Sequence, residues 1–136
     1  MKYLTFIRCS ESYRASPPPA ALDEAMGAFV EKSFKDGSLV DTGGLLPSKD
    51  GARVRLARGR ITVTDGPFTE AKEVLGGYWM IDVKSKEEAI EWARKCPASN
   101  NEIIEIRQVQ EMADFPVDVQ KAARGFDELQ KNAAKR

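Results

Sequence analysis

Three stretches of this chain carry large apolar side chains on both faces of a strand, and a sheet made from them needs cover on both sides. In Lys2–Cys9, Tyr3, Thr5 and Ile7 alternate with Leu4 and Phe6, and successive residues of a strand point to opposite faces. Trp79 and Ile81 alternate in the same way with Tyr78 and Met80 in the segment 78–83. In the segment 102–109, Ile104 and Ile106 share one face, while Ile103, Glu105, Arg107 and Val109 share the other. A sheet that met water on one side would show a cleaner polar alternation there.

Helical spacing separates these strands. Three prolines, Pro17 to Pro19, open a helix whose stripe is Leu22, Met26, Phe29, Val30 and Phe34, and Asp36-Gly37 ends it. Ser85-Lys86-Glu87-Glu88 has the spacing of a capping box and starts a second helix, with Ala89, Ile90, Ala93 and Cys96 beside Trp92 and Pro97 as its stop. After Pro116, the spacing of Val119, Ala122, Phe126, Leu129 and Ala133 predicts one amphipathic C-terminal helix. Leu39 and Val40 begin a short extended segment that runs into an irregular loop at Gly43-Gly44 and Pro47. Val54 and Leu56, then Ile61 and Val63, flank the turn Ala57–Arg60 and predict a β-hairpin.

The predicted order is strand, helix, strand, inserted hairpin, strand, helix, strand and appended helix. Helices that follow strands imply crossovers on one sheet face, so the expected class is α+β, of the ferredoxin-like kind. Two helices cover only one face, and a homodimer packed sheet to sheet would cover the other. Residues 1–112 form the expected domain, and 113–136 a helical extension packed on it or on the dimer mate.

Composition narrows the function. Lys plus Arg and Asp plus Glu both number 21, so no net field attracts nucleic acid or an anionic membrane, and the longest apolar run is far short of a membrane span. There is no histidine, which removes Ser/His/Asp and Cys/His catalysis and imidazole metal sites. Cys9 and Cys96 are too few for a disulfide framework, and the apolar stretch after Lys2 is too short for a signal-peptide core, so a cytoplasmic location is expected. Gly43-Gly44 and Gly76-Gly77 match neither the dinucleotide nor the P-loop pattern; they suit close backbone approach around a cleft. Neither metal nor nucleotide cofactor is expected.

The string Asp65-Gly66-Pro67-Phe68 would arise by chance in about one chain in a thousand of this length. Followed by Thr69-Glu70-Ala71-Lys72-Glu73 and Leu75-Gly76-Gly77-Tyr78, it resembles the signature of the DGPF (DGPFAETKE) branch of the YCII-related family. The resemblance spans about residues 1 to 110 and takes in Lys2–Ile7, Gly43-Gly44-Leu45, Glu91-Trp92-Ala93 and Ile104–Arg107. It implies a dimeric α/β barrel built on a ferredoxin-like fold. For function it implies either small-molecule lyase or isomerase chemistry on ring-derived substrates, or a regulatory role linked to an extracytoplasmic-function sigma factor. The His/Asp pair proposed for other YCII proteins has no histidine here to carry it.

Two readings of the Asp65–Phe68 segment stand side by side. In one it is a turn, capped by Asp65, shaped by Gly66 and Pro67 and plugged into the core by Phe68. In the other, Asp65 or Glu70 is a general base, and Phe68, Lys72, Tyr78 and Arg107 hold a small anionic organic molecule. Arg107 has a structural alternative, pairing with Glu105 or Asp82. Arg53, Arg55, Arg58 and Arg60 cluster on the hairpin without interleaved aromatics, which favours a solvated surface over a nucleic-acid one. An enclosed pocket at the candidate residues would favour a ligand-binding protein or enzyme. An exposed apolar patch would favour an accessory protein that works through protein contact.

Overall fold

The structure is a computed structural model and describes residues 1–10, 19–68, 74–98, 102–123 and 125–134. Its elements in order are β1 (Lys2–Cys9), α1 (Ala20–Lys35), β2 (Leu39–Gly44), a 3-10 turn (Ser48–Asp50), β3 (Ala52–Ala57) and β4 (Arg60–Asp65). Then come β5 (Val74–Asp82), α2 (Lys86–Arg94), β6 (Ile103–Gln108), a second 3-10 turn (Met112–Asp114), α3 (Val117–Ala122) and α4 (Phe126–Ala134). Four strands form one sheet in the order β2-β5-β1-β6, with every neighbouring pair antiparallel. β1 and β2 therefore run parallel with β5 between them, and β5 and β6 run parallel with β1 between them. Two interleaved split βαβ units result, an α+β topology compatible with the ferredoxin-like arrangement. β3 and β4 make a separate two-stranded sheet inserted between β2 and β5.

Register decides which face is covered. Tyr3 opposes Ile81 and Thr5 opposes both Trp79 and Ile106, so these side chains share one face with Leu39. That face takes the helices: Tyr3, Leu39, Trp79, Ile81, Ala89, Trp92 and Cys96 form the buried core, with Met26, Phe29 and Val30 of α1 packed against it. Trp92 lies between Phe29 and Trp79, at centroid distances of 4.7 and 6.0 Å. The opposite face carries Leu4, Phe6, Tyr78 and Met80, each half-buried, with Arg8 and Glu105 joined in a 2.9 Å ion pair.

Local chemistry sets the element ends. The Ser85 hydroxyl accepts the Glu88 N–H at 3.2 Å, and the Glu88 carboxylate accepts the Lys84 N–H at 3.0 Å, so the reciprocal box is displaced by one residue at its return bond. Gly37 ends α1 at φ +84°, and the Ser38 hydroxyl and N–H both donate to the Asp36 carboxylate, lowering the Asp36 pKa.

Four sequence expectations change in detail. Phe34 is exposed and Ser33 is buried, because at 100° per residue position 33 lies at the centre of the stripe begun by Leu22 and position 34 lies about 120° from Leu22. β2 continues as regular strand through Gly43-Gly44, held by pairing with β5. β5 begins at Val74, before the glycine pair. The C-terminal helix is two short helices, broken where Gly125 takes φ +93°.

Candidate functional site

Four glycines line a half-open apolar space between the sheet and α1. Gly44 opposes Gly77 and Gly43 opposes Tyr78 where β2 meets β5. A Cβ on Gly43 would stand 3.0 Å from the Tyr78 ring, and one on Gly77 would stand 3.0 Å from the Gly43 carbonyl. The strands approach this closely because side chains are missing. Gly43 faces the Tyr78 side of the sheet, so the Cβ position of Gly44 points to the helix side, where nothing lies within 4 Å. There a half-open cavity of about 250 Å³ lies between the sheet and α1. Gly43, Gly44, Gly76 and Gly77 form part of its floor, Trp79 and Ile7 flank them, and Leu22, Met26 and Val30 of α1 roof it.

Its polar lining is sparse. Asp23, on the first turn of α1, and Glu102, just before β6, are the ionisable side chains that line it among the described residues. Thr42 contributes a hydroxyl already spent on the Tyr78 carbonyl at 2.9 Å. Cys96 lies in the core close by, and burial, with the Glu102 charge adding to it, pushes its thiol up to about 12, which keeps it protonated and a poor nucleophile at neutral pH. Among the described residues no group of three or more Cys, Asp or Glu side chains could hold a metal ion, and no helix is long and apolar enough to cross a membrane.

The expected site residues fall in other places. Asp65 is exposed at the end of β4, paired across the ladder with Ala52. Phe68 is buried, with the Arg53 guanidinium 3.9 Å above its ring. The backbone between them is fastened to the 48–51 turn: Gly66 N–H donates to the Gly51 carbonyl at 3.0 Å, and Phe68 N–H donates to the Ser48 hydroxyl at 3.1 Å. A Cβ on Gly66 would overlap the Ser48 carbonyl. Glu70 and Lys72 lie outside the described residues.

Tyr78 and Arg107 share the face of the sheet away from the helices, on β5 and β6, with β1 between them. Tyr78 donates its hydroxyl to Asp41 at 3.2 Å, which raises the phenol pKa. The ion-pair partners open to Arg107 are otherwise engaged: Glu105 pairs with Arg8 at 2.9 Å and Asp82 with the N-terminal amine at 3.0 Å. The cavity-lining Asp23, Glu102 and Gly44 were not expected as site residues. The paired glycines were the available signal, since they marked a close backbone approach.

These features define a small α+β domain with one sheet face under two helices and a ligand-sized apolar cavity beneath the first of them. The chain belongs to the YCII-related domain family, whose profile matches residues 1–113. It is also similar to an uncharacterized protein of Rhizobium meliloti (strain 1021), 36% identical over 75 residues, a match that spans 55% of this chain and 60% of that protein.

Proposed function

We propose that the chain binds a small, mainly apolar organic molecule in the cavity beneath α1. The glycine floor carries this reading: Gly44, whose Cβ position opens on the helix side with nothing within 4 Å, leaves space against Trp79 that a larger strand residue would fill. A dry cavity of about 150 Å³ holds benzene, so 250 Å³ suits a substituted single ring of roughly ten non-hydrogen atoms. Asp23 and Glu102 give the lining negative charge, which favours a neutral or cationic ligand over the anion that Lys72 and Arg107 suggested. If the protein transforms its ligand, Asp23 is the carboxylate at the cavity suited to accept a proton, and isomerase or lyase chemistry is the class such a base serves.

The same reading includes a homodimer, in which a second copy covers Leu4, Phe6, Tyr78 and Met80. The alternative, an accessory protein that works through contact with a partner such as a sigma factor, draws its support from the exposed apolar hairpin.

The test is a thermal-shift and calorimetric screen of phenols and aromatic amines against carboxylated analogues, run on the native chain and on Gly44→Leu. The Gly44 Cβ position is open, so this variant should fold while filling the cavity. Loss of binding in Gly44→Leu is expected. Equal binding by the variant, or preference for the carboxylates, would overturn the assignment.

A further inference from the structure

β3 and β4 pair with each other through six residue pairs and, among the described residues, with no third strand. Their side chains sort by face, with Asp65 the one charge on the apolar side. Val54 and Leu56 oppose Val63 and Ile61, giving one apolar face, while Arg53, Arg55 and Arg60 with Thr62 and Thr64 occupy the other. The four apolar side chains are between 62% and 76% exposed. A two-stranded hairpin is at best marginally stable in water, and one with an apolar face needs a surface to pack on.

No described residue of the chain covers the hairpin's apolar face, which leaves it open to a second molecule. The open sheet face supplies a match. At the end where the hairpin leaves β2 and returns to β5, Leu75 and Ile103 oppose Arg8 from either side, so both lie on this face, 52% and 50% exposed. One chain thus carries an exposed apolar arm and, at the same end, two exposed apolar side chains that flank the Arg8–Glu105 ion pair. A two-fold axis satisfies both at once, since each protomer gives one arm and receives one. The arginine face of the hairpin then stays outside the contact, with Arg53 over the Phe68 ring, and copies with zero net charge do not repel one another.

We propose that the β3–β4 hairpin is a dimerisation arm whose Val54, Leu56, Ile61 and Val63 face packs on the Leu75 and Ile103 end of the open sheet of a second copy. This rests on the homodimer reading above and assigns the hairpin its role there.

Two measurements on the full chain separate the claims. Sedimentation equilibrium compares the native protein with Leu56→Glu/Ile61→Glu, and near-ultraviolet circular dichroism of Trp79 and Trp92 reports whether the core is intact. A native dimer and a variant that dimerises at least about tenfold more weakly with an unchanged core signal is the expected result. In parallel, a benzophenone amino acid at position 61 should cross-link to peptides of a second, isotope-labelled copy that contain Leu75 or Ile103. A native monomer would sink the homodimer reading and the arm with it. A native dimer whose affinity is unmoved by the double substitution, or whose cross-links fall only on other surfaces, would leave the homodimer standing and overturn the arm. If the core signal collapses, Leu56→Thr/Ile61→Thr replaces the charged pair and is judged by the same criteria.

Discussion

Replacing Gly66 by alanine separates a structural turn from a chemical site. The added methyl would overlap the Ser48 carbonyl, so either the 48–51 turn or the Gly66–Phe68 backbone has to move. Two hydrogen bonds depend on the present position: Gly66 N–H to the Gly51 carbonyl at 3.0 Å and Phe68 N–H to the Ser48 hydroxyl at 3.1 Å. At about 1 kcal/mol each, their loss costs about 2 kcal/mol, and partial unseating of the buried Phe68 adds about 1 kcal/mol or more. Gly66→Ala should therefore destabilise by about 2–4 kcal/mol in urea unfolding. Gly44→Ala is the internal control, because its Cβ meets nothing within 4 Å and restricting the unfolded chain should leave it neutral or up to about 1 kcal/mol more stable. A Gly66→Ala variant within about 0.5 kcal/mol of the native chain would refute the close-approach argument and reopen the catalytic reading of the segment.

Thr5 offers a gain. Its hydroxyl is fully buried in the middle of β1 without a hydrogen-bond partner, so Thr5→Val should raise stability by about 1 kcal/mol by the same unfolding assay. Tyr78 should titrate above the ordinary tyrosine value of about 10, because its hydroxyl donates to Asp41, and the Asp41 charge disfavours the phenolate. Absorbance at 295 nm should show this late ionisation, absent in Tyr78→Phe and returned towards 10 in Asp41→Asn. The folded pKa is raised, so whatever stability this bond contributes is fully present below pH of about 10 and is lost as pH rises through the raised value.

Period-two alternation made β1, β5 and β6 legible, because each of those strands carries its pattern within its own residues. The hairpin was legible for the same reason, from Val54 and Leu56 against Ile61 and Val63. β2 beyond Val40 was not. Gly43 and Gly44 have no side chains to alternate, and their pairing is imposed by Tyr78 and Gly77 from a distant part of the chain. The C-terminal break was hidden for the opposite reason: apolar spacing from Val119 to Ala133 runs smoothly past Gly125, whose positive φ lies between the two helices. Phe68 as a buried plug could be anticipated from its turn. The reason for Gly66 could not, since Ser48 reaches it through tertiary packing.

The candidate site was less legible than the fold because it is made from what the residues lack. Catalytic reasoning looks for converging side chains, and it fastened on Asp65, Glu70, Lys72 and Arg107. The cavity instead lies where two glycine pairs meet and, among the described residues, no side chain fills the space below α1. Leu22, Met26 and Val30 have one helical spacing whether they press on a full core or roof an empty space, and periodicity does not tell these apart. Asp23 and Glu102 acquire their meaning from that floor. In the proposed reading, the exposed Asp23 and the half-buried Glu102 set the sign of the charge along the cavity lining.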